Sequence, residues 1–275
     1  MTDIQVSSVQ FSYKPIKSFN DFEKNVEDLI NRTEGSDFIV FPETFTLEFQ
    51  YFIPNYDISR LYEFTGDYVN LFTRLSKENN QVLIAGSHIV LENDRRYNTG
   101  FIFCPDGQVF KHRKSHIMPY EYRVGITPGD SIEIFEINHI KIGLAICYEI
   151  EFPELVRILT LQGANIVFCP SYTLDEYGFW RVRHCCQARA IENQIYVIHS
   201  CLVGTSAIPG LGGWGKSSIL SPCEDPMSPN GIIAEADINK EMVITGVLDL
   251  DLLNKKRKHG IAPTLNDRRP ELYQF

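Results

Sequence analysis

The strongest constraint on this chain's fold is an alternation, from end to end, of short apolar runs with segments whose apolar residues recur at helical spacing. Runs at 4–11, 37–41, 81–90, 99–104, 132–137, 140–146, 165–169 and 195–200 have strand length, and further strands fit 217–220, 232–236 and 242–248. Between them, Phe19, Phe22, Val26, Leu29 and Ile30, then Leu61, Phe64, Tyr68, Leu71, Phe72 and Leu75, mark two amphipathic helices. Residues 151–161 and 180–192 follow the same periodicity. Turn residues separate neighbouring runs at 92–96, at Pro105-Asp106-Gly107 and at Asn138-His139. No repeat, low-complexity tract or Gly/Ser linker interrupts the pattern, which predicts one α/β domain over residues 1–275, with a C-terminal tail from about 250. Runs that are apolar throughout can be buried on both faces, so two packed sheets with helices outside are expected.

Composition excludes several classes. A chain of 275 residues, 44% hydrophobic, holds a core without disulfides or a structural metal. A formal charge of −9 opposes nucleic acid and anionic membranes as partners. The basic run Lys255-Lys256-Arg257-Lys258 reads as a solvated helix end. Seven cysteines, with no CxxC and several inside apolar runs, point to reduced, buried thiols. Cys185 and Cys186 are adjacent within a helical pattern, so a disulfide between them is not expected. The start lacks a basic-then-apolar leader, and no apolar run approaches the roughly 18 residues of a membrane helix. The expectation is a cytoplasmic protein.

Chemistry concentrates in three places. In 140–154 a buried strand ends at Cys147 and a helix begins shortly after, the arrangement of a nucleophile elbow. A helix start there favours the thiolate, and the Tyr148 backbone N–H is placed to serve an oxyanion. Alone, Cys147 reads equally as a buried strand-end cysteine. Glu43 leaves an apolar strand behind Pro42, which suits a general base of raised pKa, although a helix cap or surface charge fits the same position. Lys114 offers a compact charge for an oxyanion, and alone would pass as part of a basic surface run. His112 and His116 would share a face only on a helix, and no third ligand stands at metal-site spacing, so no metal is expected. The glycine-rich 210–215 segment lacks a phosphate-loop register and reads as a loop at a pocket rim.

Taken together, Phe41-Pro42-Glu43, the segment around Lys114 and Ile146-Cys147-Tyr148-Glu149 closely resemble the three signature segments of the nitrilase-like (carbon–nitrogen hydrolase) family. They occur in that family's order, separated by 71 and 33 residues. The resemblance extends to 6–10, 187–193, 215–222 and Asp267-Arg268-Arg269, and so covers essentially the whole chain. Residues 169–173, 179–183 and 221–226 look most like a subgroup in which some members carry a fused acetyltransferase-like domain, expected to be absent here.

The resemblance implies a four-layer α-β-β-α sandwich, at least a homodimer formed by helices beside the nucleophile turn, and no cofactor. It implies Cys147 as nucleophile, Glu43 as base and Lys114 as electrostatic partner in hydrolysis of a small amide through a thioester. A second glutamate often lines such sites, and Glu121 is the only acid between Lys114 and Asp130. Arg189 and Glu192 match a segment with a scaffold role. An amine-accepting N-acyltransferase and a nitrilase would use the same triad, and a catalytically silent binding or regulatory subunit would keep the fold. For the pocket, Tyr51, Tyr120, Tyr172, Thr173 and Trp180 are lining candidates, while Glu48, Glu149, Asp175 and Glu176 would favour a cationic substrate.

Overall fold

The computed structural model describes residues 3–33 and 35–273. Within them the strands are β1 (Asp3–Ser12), β2 (Phe38–Val40), β3 (Val82–Glu92), β4 (Arg95–Phe103), β5 (Val109–Arg113), β6 (Ile134–Ile137), β7 (Ile140–Leu144), β8 (Ile166–Tyr172), β9 (Tyr196–Val203), β10 (Ser218–Leu220), β11 (Ile232–Glu235) and β12 (Met242–Asp249). The helices are α1 (Phe19–Asn31), α2 (Thr65–Asn79), α3 (Pro119–Arg123), α4 (Pro153–Leu161), α5 (Glu176–Asn193) and α6 (Leu250–His259).

Two sheets result. In the first, β1 lies between antiparallel β12 and parallel β2, and the order continues through parallel β3 to antiparallel β4 and β5. In the second, parallel β7, β8 and β9 are flanked by antiparallel β6 on one side and by β10 and β11 on the other. The end of β1 joins them, where Phe11 and Ser12 pair with Leu202 and Val203 of β9.

Strand alternation decides which side chains go where. Val6, Phe38, Val40 and Ile84 of the first sheet meet Ile142, Leu144, Phe168 and Ile198 of the second, forming the inter-sheet core. Ile39, Phe41 and Leu83 point the other way, under Val26 and Leu29 of α1 and Leu71 and Phe72 of α2. Val167, Cys169 and Val197 likewise pack under Leu155 and Leu159 of α4 and Val182 and Cys186 of α5. This is the four-layer α-β-β-α sandwich that the resemblance implies.

Several element boundaries differ from the sequence reading, each for a local reason. Residues 58–64 form a 3₁₀ segment rather than the first turns of α2. α5 starts earlier than periodicity suggests because the Asp175 side chain caps it, accepting from the Gly178 N–H at 2.8 Å. β4 starts at Arg95 because Asn93 and Asp94 adopt left-handed φ of 50° and 59°, a two-residue turn that pairs Glu92 with Arg95. The segment from 250, read as a tail, opens with α6, whose Leu250 and Leu253 enter the inter-sheet core. Arg257 turns inward to bond Asn165 Oδ1 at 2.6 Å and the Gln194 carbonyl at 2.8 Å, whereas Lys255 and Lys258 stay exposed. No helix among the described residues is long and apolar enough to cross a membrane.

The sandwich collects its reactive groups just past β2, β5 and β7, and the parallel β2 and β7 leave them at their carboxyl ends, where open α/β sheets hold ligands. β3 carries an irregularity between Ile84 and Ser87, and Gly86 sits in it at φ 62°. A Cβ on Gly86 would lie 1.9 Å from the Pro42 carbonyl oxygen, so only glycine lets β3 approach the Pro42-Glu43 turn this closely. The turn is further tied to β3 by Thr44 N–H donating to Ser87 Oγ at 3.0 Å. Gly86→Ala should therefore destabilise the protein by about 2 kcal/mol or more, read as a fall in the urea midpoint. An unchanged midpoint would contradict this account of the turn.

Candidate active site

Cys147 is the first residue of a 3₁₀ turn, Cys147–Glu151, that follows β7, and it adopts a left-handed φ of 48°. That conformation is unfavourable for a residue with a Cβ and persists only when its surroundings over-determine it. Here they do. Ile146 N–H donates to Glu149 Oε2 at 2.7 Å, and Arg189 donates to the carbonyls of Ile150 and Glu151 at 3.1 and 3.0 Å. Arg189 and Glu192 are bonded to each other, a scaffold arrangement as expected.

Cys147 is 2% exposed, and its thiol donates to the Tyr172 carbonyl at 3.6 Å. One expectation fails at this point. α4 does not begin until Pro153, so no helix start addresses the sulfur. Burial, reinforced by the Glu43 charge and only partly offset by Lys114, pushes the Cys147 thiol well above its ordinary value. The resting Cys147 side chain is therefore held as a thiol.

Beside it lies a buried charge network. Lys114 Nζ donates to Glu43 Oε1 at 2.7 Å and to Glu121 Oε2 at 2.8 Å. Asn98 Nδ2 bridges the same two carboxylates, at 2.9 Å to Glu43 and 3.0 Å to Glu121. Tyr172 N–H donates to the other Glu43 oxygen at 3.0 Å, and Met118 N–H to Glu121 at 2.8 Å. Burial favours a neutral lysine, but Glu43 and Glu121 outweigh it and hold the Lys114 pKa above its ordinary value. Burial is also the largest influence on Glu43, and with the nearby Glu121 charge it raises the carboxyl pKa despite Lys114. Nothing in the sequence reading singled out Asn98, which lies in the polar first half of β4, just before the run at 99–104.

A second buried pair braces the two turns. His112 Nε2 lies 3.1 and 3.0 Å from the Glu149 oxygens, and Ser115 N–H and Oγ each donate to Glu149 at 2.7 Å. Through Glu149 the loop that carries Lys114 is bonded to the turn that carries Cys147. Glu149 is thus a structural anchor and not the substrate-facing acid of the sequence reading. His116 turns away to Ser115 and stacks on Phe152, so the two histidines do not converge on a metal.

A cavity of about 610 Å³ opens over Cys147, Glu43, Lys114 and Glu121. Of the lining candidates, Tyr120, Tyr172 and Thr173 border it. Tyr51 and Trp180 do not. The Tyr51 hydroxyl donates to the Thr205 carbonyl, and Trp180 lies on α5 against His184 and Glu176. Asp175 borders the cavity, whereas Glu48 and Glu176 do not, which removes most of the basis for a cationic substrate. Leu211 of the glycine-rich loop does reach the rim. Elsewhere, the ligand atoms of Cys169, Cys186 and His199 lie within 4.8 Å of one another, buried and outside the cavity lining. All seven cysteines are free thiols.

The carbon–nitrogen hydrolase family model matches residues 5–258. The chain belongs to the carbon–nitrogen hydrolase family. It is 39% identical to the probable hydrolase YhcX of Bacillus subtilis, an alignment spanning 99% of this chain and 55% of that protein, so this chain matches about half that relative's length. It is 29% identical to the omega-amidase NIT2 of Xenopus tropicalis, covering 99% of this chain and 98% of that one. The crystal structure of a carbon–nitrogen hydrolase from Helicobacter pylori superposes with a TM-score of 0.81 at 24% identity, covering 98% and 97% of the two chains. Membership of this nitrilase-like hydrolase family accords with the order of the three segments in the sequence.

The His112–Glu149 pair sets a stability signature for this carbon–nitrogen hydrolase. Burial opposes both charges, yet each partner overrides it, lowering the Glu149 pKa and raising that of His112. The Glu149 contribution is present above the ordinary glutamate range and is lost as pH falls through the lowered folded value. The His112 contribution is present below the ordinary histidine value and is lost as pH rises through the raised one. Glu149→Gln should cost about 3–5 kcal/mol near neutral pH, with a smaller gap from wild type at either extreme. A gap in urea unfolding that stays constant with pH would show that the pair is not ionic.

Proposed function

We propose that this protein hydrolyses the carbon–nitrogen bond of small amides through a cysteine thioester. The observation that carries the reading is the convergence of three buried groups on one cavity floor: Glu43 is bonded to Lys114 Nζ and to the Tyr172 N–H, and the Cys147 thiol beside it donates to the Tyr172 carbonyl. Glu43 takes the thiol proton as Sγ attacks the amide carbonyl carbon. The oxyanion forms against Lys114 Nζ and the Tyr148 N–H, an amide in the first turn of the 3₁₀ segment. Collapse breaks the carbon–nitrogen bond, and Glu43 passes its proton to the nitrogen, which leaves as ammonia or an amine. Glu43 then deprotonates a water that attacks the thioester, and expulsion of the sulfur with return of the proton restores the thiol. Glu121 touches no reacting atom in this scheme. It positions Lys114.

Carried with this proposal are a cytoplasmic location, a single catalytic unit and a homodimer. Ile158 and Leu161 on α4 and Ile191 on α5 are exposed apolar side chains that support a dimer face there. Hydroxylamine added during turnover separates the outcomes of the thioester: acid as the sole product marks hydrolysis, and hydroxamate marks an acceptor site for amines.

Ammonia release from small primary amides checks the proposal. Cys147→Ala, Glu43→Gln and Lys114→Met should each lower turnover by at least about 10³-fold with the fold intact by circular dichroism. Because Glu43 must be ionised and its pKa is raised, kcat/KM should rise with pH through a limb above the ordinary glutamate value of about 4.3. A Cys147→Ala protein with wild-type turnover, or an acid limb at or below that value, would rule the assignment out.

A further inference from the structure

Away from the catalytic cavity, between α5 and the second sheet, four reactive side chains share one buried layer. Cys169 of β8 and His199 of β9 are partners in the parallel register, so both side chains leave the same face of the sheet. Cys201, two residues beyond His199 on β9, leaves that face as well. α5 covers it and brings Cys186 down beside Cys169. Cys169, Cys186 and His199 are wholly inaccessible to solvent.

Packing alone accounts for the cysteines, since a free thiol behaves as a small apolar group. It does not account for the imidazole. The His199 ring stacks on Phe179, and its nitrogens have the Cys201 sulfur as partner, at 3.4 Å from Nε2 and 3.9 Å from Nδ1. Sulfur is a weak partner, so the buried ring recovers little of the hydrogen bonding it had in water. Ser218, opposite His199 on β10, does not supply the deficit: its buried hydroxyl has no partner among the described residues.

A metal ion would satisfy the ring, and the donors are placed for one. A ligand atom from each of Cys169, Cys186 and His199 lies within 4.8 Å of the other two. Ligands about 2.3 Å (sulfur) and about 2.0 Å (nitrogen) from one tetrahedral zinc stand roughly 3.5–3.8 Å apart, so a small closure brings all three onto a single ion. Cys201 Sγ, already at 3.4 Å from Nε2, is in reach as a fourth donor. Two thiolates and a neutral imidazole cancel the charge of a divalent ion, so the loaded site carries no net charge into an apolar layer. A third thiolate would add one negative charge beside Arg183 of α5. That guanidinium is buried, lies close enough to His199 and Cys201 to act on both, and its Nε has no hydrogen-bond partner among the described residues.

We propose that Cys169, Cys186 and His199 hold one thiophilic divalent cation of the zinc class, a structural clamp between α5 and strands β8 and β9. Soft thiolates with an imidazole select such an ion over Mg²⁺ or Ca²⁺. Binding displaces the two thiol protons to solvent and changes no oxidation state. The clamp is separate from the amide chemistry, and its test does not depend on turnover.

The test uses the Cys147→Ala protein, so that the active-site thiol is not counted as a ligand. Because the layer is closed to water, Cd²⁺ is offered to the native protein and also during refolding from urea, and loosely held metal is removed by desalting. The expected result is one retained Cd²⁺ per chain with ultraviolet cadmium–thiolate absorption, and a thermal midpoint raised by about 5 °C in saturating Zn²⁺. Losing an outer-shell partner weakens a metal site about 10–100-fold, so losing a ligand, in Cys186→Ser or His199→Gln, should weaken Cd²⁺ binding at least about 100-fold. Cys223→Ser, at an exposed thiol outside the set, should retain the ion. Absence of retained Cd²⁺ after refolding, or retention without thiolate absorption, would overturn the proposal whether or not the ligand variants fold. Undiminished binding in Cys186→Ser and His199→Gln would overturn it equally.

Discussion

A lysine ammonium buried between two carboxylates is the interaction on which this site depends. Lys114 is 2% exposed and Glu43 is 4% exposed, so neither charge has water to stabilise it. Isolated ions so placed would cost several kcal/mol each, and removing one partner would strand the other. With two carboxylates around one ammonium, a negative charge is left over in a low-dielectric pocket. Burial raises the Glu43 pKa, with the Glu121 charge adding to it against Lys114, and burial together with the Glu43 charge keeps the neighbouring thiol protonated. A carboxylate of raised proton affinity beside a thiol that still holds its proton therefore follows from burying these charges together. Asn98 and Glu121 belong to it because they fix the geometry in which Lys114 is shared.

The fold's contribution is to make that arrangement obligatory. Thr44 and Cys147, which flank the network, both take left-handed backbone conformations that a Cβ-bearing residue adopts reluctantly. Each is held by groups away from the reacting atoms: Ser87 and the glycine approach of β3 on one side, Glu149 and Arg189 on the other. The His112–Glu149 pair then ties the lysine loop to the cysteine turn. Strain at Cys147 is thus compensated by buried polar bonds one layer back, where a substitution reads as lost stability.

Much of this was legible in the sequence because it rests on periodicity and order. Apolar alternation foretold strands buried on both faces, and Ile39 against Phe38 and Val40 obeys it residue by residue. Glu43, Lys114, Cys147 and Glu121 converge as their order along the chain implied. Direction of pointing was harder to read. Trp180 sits on the outward face of α5 and Tyr51 in a 3₁₀ segment without helical periodicity, so neither reveals its neighbours through spacing. Glu149 looked like a substrate-facing acid because its partners, His112 of β5 and Ser115 of the loop after it, lie more than thirty residues earlier. The thiolate expectation failed because a turn, not a helix, follows Cys147, and burial then dominates its proton affinity.

The central claim is that Cys147 forms the covalent bond to the acyl group. Rapid acid quench of the protein during turnover of a slowly hydrolysed primary amide, followed by peptide mapping with mass spectrometry, tests it directly. The account predicts one added acyl group on the peptide that contains Cys147, removed by hydroxylamine and absent from the Cys147→Ala protein. An acyl group on another of the seven cysteines, or undiminished turnover with the Cys147 peptide never modified, would contradict it.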